Sequence, residues 1–158
     1  MAITVSGIYV QNVIDELDVT NIGFDWTLTT HKWALYNNTL TPNFDTNVSY
    51  SATNEVSGTG WAAGGVLFSA AAAGATSVAP TLTISPAGTM MWDQNDVAVS
   101  GTTLTSAQAA IAYADALTTP VADALIVLVN FGGAFSTSNG TFGIQWAATG
   151  VLAVDLTP

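Results

Sequence analysis

Short runs of Val, Ile, Thr and aromatic residues alternate along the chain with clusters of Gly, Asn, Pro and Ser. This pattern is typical of all-β sandwiches and barrels, whose strands are short and bounded by turn residues. The predicted strands cover residues 22–29, 32–36, 55–57 with 66–68, 81–85, 90–92, 97–99, 110–114, 125–130, 141–146 and 151–156. We therefore predict an all-β fold, an antiparallel β-sandwich or jelly-roll-like single domain over residues 22–158.

The last two predicted strands form the clearest hairpin in the sequence. Phe142, Ile144 and Trp146 alternate with small or polar residues, which places the three large side chains on one face. Residues 151–156 follow after a turn at 147–150 and are expected to pair with residues 141–146. The bulky face of this hairpin is expected to be core. The glycine-containing pairs at 132–133 and 139–140 are interpreted as turns or bulges.

Two segments have helical character. Residues 8–19 carry apolar side chains at a spacing near 3.6, so residues 1–21 are interpreted as a short N-terminal helix or an arm that docks on a partner. The alanine-rich segment 105–117 also has helical propensity. A strand at 110–114 is favoured there because Ile111 and Tyr113 share a face and a Thr-Thr-Pro sequence ends the segment.

One long stretch of the chain carries no charge at all. Residues 56–92 contain no Asp, Glu, Lys, Arg or His, and only 8% of the whole chain is charged against 49% hydrophobic, with a mean hydropathy of +0.44. Glycines, prolines and many Ser and Thr residues break the stretch, so a membrane-spanning helix is not predicted. So few charges suit a subunit that has much of its surface against neighbouring chains.

The charge balance excludes several partners. One Lys or Arg stands against 11 Asp and Glu, a net charge of −10, so no basic patch exists for a phosphate backbone or for anionic lipid headgroups. We therefore expect no nucleic-acid partner and no membrane attachment. The first 18 residues have no basic residue ahead of an apolar run, so no signal peptide is predicted.

Catalytic and metal-binding groups are sparse. His31 is the sole histidine and is interpreted as a structural or surface residue, and no G-x-S-x-G nucleophile motif occurs. Asp93 and Asp96 flank a Gln-Asn pair, for which a turn is favoured over a cation site. We expect no enzyme activity and no cofactor. Of the five tryptophans, Trp61 lies among glycines and alanines and is the one expected outside the core.

Residues 24–156 carry several motifs that together resemble one protein family. They include a K-x-A-L-Y strand at 32–36, N-E-V-x-G-x-G-W-x-A-G-G at 54–65, an F-G-G bend at 131–133 and G-T-F-x-I-x-W at 140–146. The series is similar to the small β-rich virion proteins that tailed bacteriophages encode among their head genes. These motifs are structural, and the family has no catalytic residues to carry over.

The resemblance implies a capsid decoration or cement subunit on the outer face of the phage head. It implies the major capsid protein as a partner, self-association as a symmetric oligomer such as a trimer, synthesis in the host cytoplasm and a final location on the virion exterior. Gly65→Val is then expected to impair oligomerisation or head binding more than Asp96→Ala. The candidate subunit or capsid contacts are Trp61, Gly64, Gly65, Phe68, Val13 and Leu17.

Two other functions remain open from the sequence. The first is a tail, fibre or baseplate component of the same kind of virion. The second is a carbohydrate-binding module, since five tryptophans on an all-β frame could include a sugar-stacking platform.

Overall fold

A computed structural model describes residues 2–17, 25–68, 79–115 and 117–157 of the chain. Its strands form antiparallel sheets that pack together, so the predicted all-β, sandwich-like single domain is confirmed. The elements are β1 Gly7–Ile8, α1 Val10–Leu17, β2 Lys32–Tyr36, β3 Glu55–Val56, β4 Val66–Leu67, β5 Thr81–Ile84, β6 Thr89–Asp93, β7 Val97–Ala114, β8 Ala124–Ile144 and β9 Leu152–Asp155.

The large sheet has the strand order β1-β8-β7-β2-β3, and β4 also pairs with β2. The last eight residues of β7 are buried, which confirms the predicted strand at 110–114. Alternate side chains of this segment enter two core clusters, one on each face of the sheet: Ala110 and Ala112 join Trp33, and Ile111 and Tyr113 join the second cluster. A strand that is buried on both faces has apolar residues at successive positions, without the alternation typical of a half-exposed strand. This explains why the alanine-rich sequence was compatible with either a helix or a strand.

β7 and β8 are far longer than predicted. The separate strands predicted at 97–99 and 110–114 are parts of one 18-residue strand. Residues 125–130 and 141–144 lie in one 21-residue strand, which ends at Ile144, two residues before the predicted end. The register between β7 and β8 shifts at five places, and Gly132 and Asn139 have positive φ inside β8. Bulges absorb the extra residues and bend the ribbon without ending it. The turn residues of the sequence therefore mark bulges within a single strand pair.

The small sheet has the strand order β5-β6-β9. The prediction that residues 151–156 pair with residues 141–146 is wrong, because β9 pairs with β6. The turn itself exists, with Gly150 N donating to Ala147 O at 2.9 Å. The next amide, Val151 N, donates to Trp92 O at 2.9 Å and carries the chain into the other sheet. Phe142 and Ile144 are buried as predicted.

Trp92 of β6 connects the small sheet to the core. Its indole is fully buried, packs edge-on against Trp26 with 5.4 Å between ring centroids, and stacks with Trp33 of β2 at 6.3 Å. Its Nε1 donates to Trp26 O at 3.0 Å. Large aromatic side chains therefore join the small sheet to one face of the large sheet.

The predicted strand at 22–29 is wrong over its described part, and residues 22–24 lie outside the described residues. Residues 25–29 form turns instead. Asp25 Oδ1 accepts hydrogen bonds from Thr27 N at 2.8 Å and from Thr27 Oγ1 at 2.6 Å, and Leu28 N donates to Asp25 O at 3.1 Å. A short carboxylate that bonds the backbone two residues ahead favours a turn over an extended strand.

The N-terminal segment contains the predicted short helix, α1, and adds β1 to the edge of the large sheet beside β8. Asn12, buried on the inner side of α1, donates through Nδ2 to Val48 O and Leu125 O, both at 2.7 Å. Across the described ranges no helix is long and apolar enough to cross a membrane.

Candidate interaction surfaces

The glycine-rich segment around Trp61 packs into the hydrophobic core of the same chain. Trp61 is 0% exposed and packs edge-on against Phe142 with ring centroids 5.5 Å apart, so the expectation that it lies outside the core is wrong. Gly58 N donates to Trp61 O at 2.8 Å, and Trp61 N donates back to Gly58 O at 3.1 Å. Thr103 N donates to Thr59 O at 3.1 Å and holds this tight loop on β7, so the indole points inwards.

Gly64 and Gly65 make close contacts, but within the chain. Gly65 has φ +81°, and a Cβ there would lie 2.1 Å from the carbonyl oxygen of Trp33. Gly64 N donates to Glu55 Oε1 at 2.8 Å, and Gly64 O accepts from the Tyr113 hydroxyl at 2.5 Å. Gly64 and Gly65 therefore let this loop lie close against β2 of the same chain.

The six candidate contact residues accordingly fall into two groups. Trp61 and Phe68 are buried, and Gly64 and Gly65 are half-buried in the loop contacts just described, so these four offer little side-chain surface to a partner. Val13 is half-buried against the larger core cluster. Leu17 is 83% exposed.

Leu17 belongs to an exposed apolar stripe, which we call the helix surface. Val10, Ile14 and Leu17 lie at the spacing i, i+4 and i+7, so they share one side of α1, and all three are exposed. Asn12, on the opposite side of the helix, is buried, and Val13, at the border of the exposed stripe, packs on the core. This short helix therefore leaves apolar side chains on the side that faces water, which is unusual for a surface helix.

The small sheet has a second exposed apolar surface, which we call the small-sheet face. Pairing registers place the even-numbered residues of β5, β6 and β9 on one face, because side chains alternate along each strand. The Trp92 end of this face is covered by the core, but Ile84 is 81% exposed and Leu156, just beyond β9, is 69% exposed. With Leu82 and Met90 they line a groove of about 450 Å³.

A third surface, the β8 groove, runs along the bent part of β8 and the turn after it. It has a volume of about 580 Å³, and none of its lining residues is charged. Phe135 is 53% exposed, Phe131 packs edge-on against it at 6.2 Å, and the half-buried Trp146 lines the far part. Hydroxyl and amide side chains such as Thr141 and Gln145 lie between these aromatic residues.

The sole histidine and the sole cationic side chain both belong to structural contacts. His31 is buried, with Nε2 2.8 Å from Asp25 O and its ring edge-on to Phe68. Burial lowers the pKa of the imidazole from its ordinary value. Lys32 Nζ lies 3.0 Å from Asp115 Oδ2 in a half-exposed salt bridge. The structural interpretation of His31 is consistent with this placement.

The segment from Asp93 to Asp96 connects β6 to β7 and binds Trp146; residues 94–96 are a loop without a turn, so the expected turn is not formed. Asp96 Oδ1 accepts from Trp146 N at 2.9 Å, and the Trp146 indole donates to Asn95 O at 3.1 Å. Asp93 Oδ1 accepts from the neighbouring Gln94 N at 2.9 Å. Among the described residues, no three His, Asp or Glu side chains come together in a group that could hold a metal ion.

The small-sheet face was not predicted from the sequence, although the pattern of residues in β5 partly indicates it. Residues 81–84 read Thr-Leu-Thr-Ile, an alternation that predicts one apolar face on the strand. Alternation alone normally indicates that such a face is core. The absence of charge between residues 79 and 92 was the remaining sequence feature that sets this region apart from an ordinary solvated surface.

Comparisons with known proteins add no relative of this chain. No protein-family model, no curated protein and no solved structure matches it. The function is therefore inferred from the chain's own surfaces, charge and motifs.

Proposed function

We propose that this chain is a structural virion subunit that decorates the outer surface of a tailed-phage head. Its partners are the major capsid protein and further copies of itself. The observation that carries the proposal is the pair of exposed apolar surfaces, the helix surface and the small-sheet face, on a chain with a net charge of −10. Exposed apolar surfaces would suit many proteins that act by binding other chains. Head decoration is proposed among these functions because the motifs at 54–65 and 140–146 resemble those of phage head proteins.

The energetic argument concerns the exposed aliphatic side chains. Leu17, Ile84 and Leu156 remain largely in water in the isolated chain. Covering each of them with a partner is worth about 25 cal/mol per Å² of apolar area removed from water, so a few such contacts supply a modest affinity. On a head, many copies each with modest affinity suffice to cover and brace the shell.

The charge distribution favours protein partners over DNA. The carboxylates repel the phosphate backbone, and the cation at Lys32 is paired with Asp115. Neither apolar surface includes a charged side chain among the residues that define it. An outer position on the head, away from the packaged genome, suits such a molecule.

We assign the capsid contact to the helix surface, and replacing Leu17 by glutamate tests this assignment. Glutamate is as good a helix former as leucine and Leu17 is largely exposed, so the main cost to stability is a negative charge at the C-terminal end of α1, no more than about 1 kcal/mol. Burying a charge where a leucine was covered should weaken head binding by about tenfold or more. The measurement is co-sedimentation of the purified chain with heads that lack it, across a concentration series.

The matched control is Thr105→Glu, which adds the same charge at an exposed threonine of β7. It should bind heads as the unchanged chain does. Loss of binding in both variants would indicate a general charge effect and contradict the assignment to the helix surface. If the unchanged chain bound no heads and was absent from purified virions, the proposed function itself would be wrong.

A tail, fibre or baseplate position is the alternative within the same particle. Quantitative mass spectrometry of purified virions, with immunogold labelling, separates the two positions. Hundreds of copies spread over the head support decoration. A handful of copies at one vertex or on the tail supports the alternative.

The β8 groove favours a second candidate function, binding of a neutral carbohydrate. It offers the exposed ring of Phe135 beside uncharged hydroxyl and amide groups. If it binds sugars, Phe135→Ala should abolish binding in a titration against a panel of neutral oligosaccharides, while the fold stays intact. Trp61→Ala cannot serve as this test, because Trp61 is buried and its loss would act on the fold.

A further inference from the structure

The small sheet ends in an edge strand, β5, whose outer side is unpaired among the described residues. β5 pairs with β6 on one side, and no strand in the described part of the chain pairs with its other side. All four of its side chains are exposed, and none is charged. Pro80 and Pro86 flank this short strand and limit how far any pairing can extend. Between the prolines the strand has neither a charged side chain nor a proline, so its outer backbone groups are open to one short strand of another chain.

The hydrogen-bond pattern shows which backbone groups face this edge. Ser85 N donates to Thr89 O at 3.0 Å, which makes this a hydrogen-bonded pair directly after β5. Such pairs alternate along an antiparallel ladder, so Thr83 opposite Met91 and Thr81 opposite Asp93 also bond inwards. The N–H and C=O groups of Leu82 and Ile84 therefore point to the free edge.

The sequence around β5 is symmetric about Thr83. Residues 80–86 read Pro-Thr-Leu-Thr-Ile-Ser-Pro. Going outwards from Thr83, each side has first an aliphatic residue, then a hydroxyl residue and then a proline. Two copies placed antiparallel with Thr83 on a two-fold axis would set Leu82 opposite Ile84 of the partner subunit. That register uses every outward backbone group of both strands. A shift by two residues would place Pro80 or Pro86, which have no N–H, opposite one of them.

The charges agree with a second copy as the occupant. The two aspartates of the small sheet, Asp93 and Asp155, occupy odd-numbered positions and lie on the face opposite Leu82 and Ile84. Asp155 also lies on β9, the other edge strand, and gives that edge the charge that β5 lacks. Two identical chains with strong like charge can thus meet at β5 with their carboxylates off the shared apolar face.

We propose that two copies of this chain pair through β5, antiparallel about a two-fold axis at Thr83, to form one continuous six-stranded sheet. The pairing joins the two small-sheet faces, so Leu82 and Ile84 of each copy cover those of the other. This inference rests on the proposed function in that the chain acts by contact with its own copies. The two-fold contact produces dimers, which are a different assembly unit from the trimer that the family resemblance implies.

Thr83→Glu tests the pairing. On the axis, the two residues at position 83 lie directly opposite each other in a non-hydrogen-bonded pair, where side chains are closest. Like charges there should weaken self-association by about tenfold or more. Sedimentation velocity over a wide concentration range should show dimers of twice 16.2 kDa for the unchanged chain and mainly monomers for Thr83→Glu. Thr105→Glu, with the same net charge, should dimerise as the unchanged chain does.

Amide hydrogen exchange followed by NMR gives an independent readout. In monomers, Thr83 N–H should be protected, whereas Leu82 and Ile84 N–H should exchange quickly. Protection of the Leu82 and Ile84 amides should rise with concentration in step with the dimer. A monomer at every concentration, or a dimer without protection at these two amides, would overturn the inference. Protection that also rises on β9 would indicate head-to-tail pairing and overturn the two-fold arrangement.

The outcomes separate this inference from the proposed function. A chain that stays monomeric in solution yet binds heads would contradict the β5 pairing and leave the decoration role standing. A chain that dimerises through β5 but binds no heads and occurs in no virion would support the pairing and contradict the decoration role.

Discussion

Replacing Gly65 by alanine is expected to destabilise the fold by at least about 3 kcal/mol, combining the cost of a positive φ with overpacking. A Cβ at this position would lie 2.1 Å from Trp33 O and 2.6 Å from Trp33 C, and both atoms belong to the backbone of a buried strand. No side-chain rotation can relieve such a contact, so the loop or β2 would have to move. Urea denaturation followed by tryptophan fluorescence measures the loss.

Gly132→Ala is the matched control for this prediction. Gly132 has φ +76°, close to the +81° of Gly65, but a Cβ there would have no atom within 4 Å. The control should cost about 1 to 2 kcal/mol, the penalty of the left-handed conformation alone. Equal losses in the two variants would show that the approach to Trp33 has no energetic weight.

The Gly65 contact also changes what Gly65→Val would report. The sequence suggested that this variant would impair oligomerisation or head binding, through a contact between chains. Because the close approach lies within the chain, Gly65→Val should act first on folding, and any loss of binding would follow from that. Asp96→Ala removes one hydrogen bond to Trp146 N and should cost about 1 kcal/mol.

Replacing Trp61 by alanine should destabilise the fold by about 3 to 5 kcal/mol, the usual cost of truncating a buried large aromatic side chain. The indole is fully buried and packs on Phe142, so its removal would leave a cavity beside β8. The denaturation midpoint in urea, at an unchanged slope, is the measurement.

Two further variants sharpen this prediction. Phe135→Ala removes an aromatic ring that is half in water, so it should cost clearly less than Trp61→Ala. Trp61→Phe keeps an aromatic contact and removes an indole N–H that is buried without a hydrogen-bond partner, a group whose burial costs about 1 to 3 kcal/mol. It should therefore be much milder than the alanine variant. If Trp61→Ala were as mild as Phe135→Ala, the indole could not be a core element in solution.

The strand content of this protein could be predicted from local sequence, but the pairing could not. β2 was predicted with the bounds that the structure shows, because residues 32–36 are a compact apolar run between turn residues. The predicted hairpin at the C-terminus failed for a different reason. Proximity along the chain favours pairing of adjacent strands, but hydrogen bonds from Val151 to Trp92 O and from Leu156 to Gly88 O draw β9 onto β6.

The candidate contact residues show the same limit. Composition correctly singled out the segment around Trp61 as unusual, since an uncharged, glycine-rich run with one large aromatic residue requires close packing. Whether this segment packs on the same chain or on another chain depends on contacts with residues that are distant in the sequence. The tight loop at Gly58–Trp61 and the bond from Thr103 N to Thr59 O turn Trp61 inwards, and neither can be read from the segment itself.

By itself, the sequence determined the all-β class, the acidic and cation-poor charge, and the scarcity of catalytic groups. These depend on composition and on alternation over a few residues, which act locally. Only the tertiary structure decided that Trp61 is core, that β7 and β8 are continuous through bulges, and that Leu17 and Ile84 lie in water. The reason is that burial is a property of what covers a side chain, and the covering atoms come from residues distant in the chain.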